Sequence, residues 1–135
     1  LKKDNWKNEL IKYLEACHRK EFSYGLIDCC TFTADAVKAM TGIDFMAEFR
    51  GQYKNKNEAL SAIKNIGCGN LLKTMKDKFG PFVNRGLFGD VAYMWGEDGP
   101  TLGICLGAES VFIGEDFGGS LVKVPSSGLR FFEVK

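Results

Sequence analysis

The chain has 135 residues, with 18 Lys and Arg against 17 Asp and Glu and a single histidine, His18. That length suits one domain with a core of its own, and 45% hydrophobic residues with 13% aromatics fit a packed globule and exclude disorder. The near-neutral balance, without a basic cluster, argues against nucleic acid or an anionic membrane surface as the main partner, and no run approaches the roughly 18 apolar residues of a membrane span.

The first half reads helical. Trp6, Leu10, Tyr13, Leu14 and Cys17 recur at the spacing of one helical face, with Asp4 or Asn5 available as cap. Asp28 is a good N-cap for the next helix, which carries Phe32, Ala36, Val37 and Met40 on one side and ends at Gly42 in the C′ position. Cys29 is then the first helical residue, where free N–H groups and the positive end of the helix dipole favour a thiolate. Asp44 to Tyr53 is ambiguous. Asn57 is placed to cap a third helix through Ala59, Leu60, Ile63 and Ile66, ended by Gly67, and a short fourth runs from Leu71 to Phe79.

The second half changes period. Short β-branched or aromatic runs at Asp90–Trp95, Leu102–Leu106, Ser110–Ile113, Leu121–Val124 and Leu129–Val134 alternate with Gly-rich turns. Helices followed by an antiparallel meander predict an α+β domain spanning residues 1–135. Glu97, Asp98, Glu115 and Asp116 fall in the turns and read as turn residues. Phe131-Phe132-Glu133-Val134 alternates poorly, which fits a last strand buried on both faces or an edge covered by another chain.

Five cysteines, Cys17, Cys29, Cys30, Cys68 and Cys105, match neither paired zinc ligands nor a disulfide framework. They read as free thiols in a reducing cytosol, with Cys17 and Cys105 as small core residues. Adjacent Cys29 and Cys30 project about 100° apart on a helix, which predicts that they do not share a site. The glycines form neither a dinucleotide fingerprint nor a P-loop, so no nucleotide cofactor and no metal are expected. No signal peptide is visible at the start, so the expectation is synthesis in the cytoplasm without one.

Tyr24-Gly25, Asp28-Cys29 and Phe32, then Gly89-Asp90-Val91, then Gly103-Ile104-Cys105-Leu106-Gly107 appear in the order and spacing of the NlpC-like branch of the papain-type cysteine peptidases. Across nearly its whole length the chain also resembles small proteins encoded in phage tail and gene-transfer-particle clusters. The residues that carry this second likeness are Trp6, Leu10, Tyr13-Leu14, Tyr24 to Asp35, Thr41 to Asp44, Arg50 to Tyr53, Gly89 to Val91 and Leu102 to Gly107. The resemblance implies an NlpC-like α+β fold, a helical N-terminal half packed on a small antiparallel sheet.

It also implies roles. Cys29 matches the nucleophile and Tyr24 the tyrosine lining the oxyanion site. The histidine that activates the nucleophile falls on Thr101, and the third triad position falls near Phe112 or Ile113. Threonine has no group that binds a proton near neutral pH, and losing a triad member costs orders of magnitude in rate. The implied function is that of a phage virion or tail-assembly protein that keeps the scaffold without turnover, its final location the virion tail and its partners other tail subunits. Arg50 and Tyr53, with Phe131 and Phe132, are the expected interface residues. The alternative is an active cysteine hydrolase acting on peptidoglycan stem peptides during tail assembly or DNA entry, its base supplied by His18 or by a partner chain.

Overall fold

The computed structural model describes residues 1–17, 28–96, 99–113 and 121–135. Among the described residues four helices come first, α1 (Trp6–Cys17), α2 (Cys29–Thr41), α3 (Lys56–Asn65) and α4 (Leu71–Phe79), with a 3-10 turn at Ala47–Phe49 after α2. Five strands follow: β1 (Val91–Gly96), β2 (Gly99–Cys105), β3 (Glu109–Ile113), β4 (Leu121–Pro125) and β5 (Arg130–Phe132). All pairings are antiparallel and the sheet order is β4-β3-β2-β1-β5. The class is α+β, as the sequence pattern indicates.

Local chemistry fixes the helix ends. The Asp28 side chain accepts from Cys30 N and Thr31 N, while Thr31 Oγ1 accepts from Asp28 N, closing a capping box at the start of α2. Gly42 ends that helix with φ +82°, a left-handed conformation that glycine adopts at little cost. α3 begins two residues earlier than the Asn57 cap predicts, because Asn55 accepts from Glu58 N. Its inward face is made of Ala59, Ala62 and Ile63, and Leu60 and Ile66 are exposed.

Strand alternation sorts the core. Val91, Tyr93, Leu102, Ile104, Val111, Ile113 and Phe132 point to the side where Leu10 and Cys17 of α1 and Phe32, Ala36, Val37 and Met40 of α2 pack. Ala92, Cys105, Phe112 and Phe131 form a second cluster on the other side, with Met94, Val122 and Val124 against it. Burying an aliphatic or aromatic side chain of this size contributes about 1.5–3 kcal/mol, so the inner face dominates stability. Gly103 keeps β2 close to β3: a Cβ there would lie 2.3 Å from the Val111 carbonyl oxygen.

The last strand departs from a simple meander. β5 returns past the whole sheet to pair with β1, placing Phe132 on the inner face and Phe131 on the outer one. Val83 bridges Phe131 through two backbone hydrogen bonds of 2.8 and 2.9 Å, so at that residue this chain itself covers the strand's outer side. The Lys2 N–H donates to the Lys135 carbonyl at 2.9 Å, bringing both ends of the described chain together. Among the described residues no helix is long and apolar enough to cross a membrane.

Candidate functional site at the start of helix α2

Cys29 opens α2, and that helix packs across β2 and β3. The cap beneath it is tied down twice. Asp28, 3% exposed, offers Oδ1 to Cys30 N and Thr31 N at 2.9 Å each, and its Oδ2 accepts from the Tyr53 hydroxyl at 2.7 Å. Burial, and then the charges of Cys30 and Asp28 together with that hydrogen bond, push the Tyr53 phenol far above its ordinary value, so it stays a neutral donor.

The two thiols are closer than helical geometry alone suggests. Cys29 Sγ and Cys30 Sγ lie 3.9 Å apart, within contact. Consecutive Cα–Cβ bonds do diverge by about 100°, but the two Cα atoms are about 3.8 Å apart and χ1 rotation brings the sulfurs together. The hydrogen bond with Cys29, followed by burial and by the charges of Cys29 and Asp28, raises the Cys30 thiol well above its ordinary value. Cys30 therefore keeps its proton near neutrality, and either sulfur can donate in the contact between them.

The residues aligned with the rest of a triad do not gather here. Thr101 pairs directly with Met94, on the face of Ala92 and Phe112, so the strand turns its side chain away from α2. It is 8% exposed, and its hydroxyl reaches Gly99 O at 3.4 Å. Of the two residues near the third position, Phe112 shares that outer face, and Ile113 lies in the apolar core under α2. Tyr24 and His18 lie outside the described residues.

The four expected interface residues are largely consumed by the fold. Tyr53 is 6% exposed and bound to Asp28, while Phe131 and Phe132 are buried on opposite faces of the sheet. Arg50 is half-buried and clamps Asp35 of α2 and Asp44, each at 2.6 Å. Of the two readings of the last strand, burial on both faces is the one that Phe131 and Phe132 follow, and Tyr53 is likewise held inside the fold. The sequence shows an apolar pair and an Arg-Gly-x-Tyr turn; it does not show that Asp28, Asp35 and Asp44 converge on that turn.

Sequence reasoning also missed the Tyr53–Asp28 bond, whose partners lie 25 residues apart. A buried acid at an N-cap and a tyrosine in an apolar turn are the signals that would have suggested it. Elsewhere, an open cavity of about 370 Å³ lies between Arg85–Phe88, Gly107–Ala108 and Ser126–Ser127. Of the predicted site residues that are described, Phe131 alone lines it. Among the described residues no group of three or more His, Cys, Asp or Glu side chains is arranged to hold a metal ion.

Residues 1–134 match the profile of a family described as Domain of unknown function (DUF6950). No curated protein matches the chain.

Proposed function

The chain belongs to the DUF6950 family, and we propose that it is a phage virion or tail-assembly protein built on a peptidase-derived, NlpC-like scaffold that has lost turnover. A cysteine opening a capped helix that packs on an antiparallel sheet supports the scaffold. The likeness to tail-cluster proteins supports the particle. One observation carries the loss of turnover. The sheet face packed under α2 is made of Val91, Tyr93, Leu102, Ile104, Val111, Ile113 and Phe132, with no imidazole or carboxylate among them.

A cysteine protease needs a base within hydrogen-bond reach of its nucleophile, in turn held by a third group. Tyr93 is the polar exception on that face, and burial raises its phenol, so it accepts no proton near neutrality. Arg50 and Tyr53 hold α2 to the following turn, a task of fold maintenance. Trp95, 75% exposed at the end of β1, and Leu87, 72% exposed, are among the large apolar side chains left for a neighbouring subunit.

The test has two arms. Purified protein is incubated with peptidoglycan sacculi and stem-peptide fragments, and products are followed by mass spectrometry; no cleavage is expected. Cleavage that disappears in Cys29→Ala would overturn the reading and establish the hydrolase. In the second arm, an epitope-tagged copy is expected to co-sediment with tail particles. Recovery only as free protein would remove the virion assignment.

A further inference from the structure

We propose that the cavity among three turns at one end of the sheet binds a single carboxylate carried on an apolar body, with Arg85 as its charge partner. The cavity measures about 370 Å³, at the small end of the range of about 300–1,000 Å³ that ligand pockets occupy. It lies among the loop before β1, the β2–β3 turn and the β4–β5 turn, on the face of the sheet that Phe131 shares and opposite α2. Its chemistry is therefore independent of Cys29.

The walls are held in place from behind. Val83 and Phe131 exchange backbone hydrogen bonds of 2.8 and 2.9 Å, and the Gly89 N–H donates to the Cys105 carbonyl at 2.8 Å. The Ser126 hydroxyl lies 2.8 Å from that of Ser110, which is fully buried. Gly86 rests directly on the Phe131 ring: a Cβ there would lie 2.4 Å from Phe131 Cδ1. A pocket formed in advance loses little to ordering when it binds.

The lining then selects the ligand. Leu87, Phe88 and Phe131 supply apolar surface, and Leu87 is 72% exposed. Arg85 supplies a positive charge, and among the described residues no Asp or Glu lines the cavity. The side chains of Asn84, Arg85 and Ser127 spend no hydrogen bond or ion pair on another described residue, and all three meet at this cavity. The backbone donors beside them are already engaged. Leu87 N–H binds Asp90 Oδ2 at 2.9 Å, Gly107 N–H binds Cys105 Sγ at 3.4 Å and Ser126 N–H binds the Ala108 carbonyl at 2.8 Å. The wall thus lacks the run of successive backbone N–H groups that cradles a phosphate. One guanidinium with two neutral donors suits a carboxylate, which a guanidinium grips through two parallel N–H···O bonds. The same group occurs on a small free acid and at the C-terminus of a peptide whose last side chain is apolar.

The experiment follows the backbone amide resonances of the isotope-labelled full chain by NMR during titration with phenylpropionate, with acetyl-alanyl-phenylalanine, or with phenylpropionamide. Both acids carry a ring and a carboxylate; the amide carries the ring without the charge. Saturable shifts at Gly86, Gly107 and Ala108 are expected with at least one acid, and the amide should bind about tenfold more weakly or worse. The tighter of the two acids identifies the source, a small molecule or a chain end. Arg85→Gln should weaken the acid by about tenfold or more, while Lys64→Gln, which removes a cation outside the cavity, should leave it unchanged. Arg85 is exposed, so its variant should fold, and the comparison of acid with amide needs no variant at all. No saturable shift with either acid, equal binding of the amide, unchanged binding in Arg85→Gln, or an equal loss in Lys64→Gln would each overturn the proposal.

Discussion

The Tyr53 hydroxyl donates to Asp28 Oδ2 at 2.7 Å, joining a turn after α2 to the cap that starts it. The bond is buried at both ends, with Tyr53 6% and Asp28 3% exposed. It makes the start of α2 a three-way junction of cap, turn and helix, with Cys29 as the next residue. Removing the hydroxyl while keeping the ring, in Tyr53→Phe, should cost about 1–3 kcal/mol, the range for leaving a buried hydrogen-bonding group short of a partner. Urea unfolding measures it, and an unchanged midpoint would show that the hydroxyl does not hold the cap.

Thr101 stands where the resemblance expects a histidine, yet its strand turns it to the face opposite α2. Restoring the imidazole should therefore not restore a Cys–His pair. The expected result for Thr101→His is a Cys29 alkylation rate at neutral pH within about twofold of the parent, because no new base reaches the thiol. Iodoacetamide labelling read by peptide mass spectrometry checks this on folded protein. A large acceleration that titrates near the imidazole range would show that the two side chains do meet.

Arg50 binds Asp44 through Nε and Asp35 through Nη2, both at 2.6 Å. Burial by itself would raise the Asp44 carboxyl, but hydrogen bonds from Arg50 and from Met46 N–H, with the charges of Arg50 and Lys38, outweigh it and leave it below its ordinary value. A carboxyl lowered in the folded state contributes stability that is complete above its unfolded value of about 3.9 and is lost as pH falls through the folded one. Asp44→Asn should thus cost about 1 kcal/mol near neutrality and less at about pH 2. Denaturant unfolding at both pH values reads the difference. An equal cost at both would mean that the charge plays no part.

Much of the fold was readable because its signals are local. Asp28 and Gly42 bracket α2 as caps, Leu71 and Phe79 bound α4 as their periodicity indicates, and the strand runs fall within a few residues of β1 to β5. α3 slipped because Asn55 and Asn57 are both good caps and only the hydrogen bond to Glu58 N selects the first. The position of β5 beside β1 is a long-range fact. Two adjacent phenylalanines indicate burial on both faces but do not say which strand lies next to them. The site divides in the same way. The start of α2 at Cys29 follows from its cap, whereas the turning of Thr101 away from it depends on a pairing with Met94 that no spacing reveals. The contact of the two sulfurs depends on side-chain rotation, which a helical wheel leaves out.

The hydrogen bond between Lys2 and Lys135 has a topological consequence. With its ends adjacent, the domain is in effect a closed loop of polypeptide. Any sequence that continues beyond either end leaves from one spot, so the domain can hang as a side branch on a longer chain and leave the path of its host almost undisturbed. By the same geometry, a short linker joining residue 135 to residue 1 would let the chain be reopened at an exposed turn away from the Tyr53–Asp28 junction.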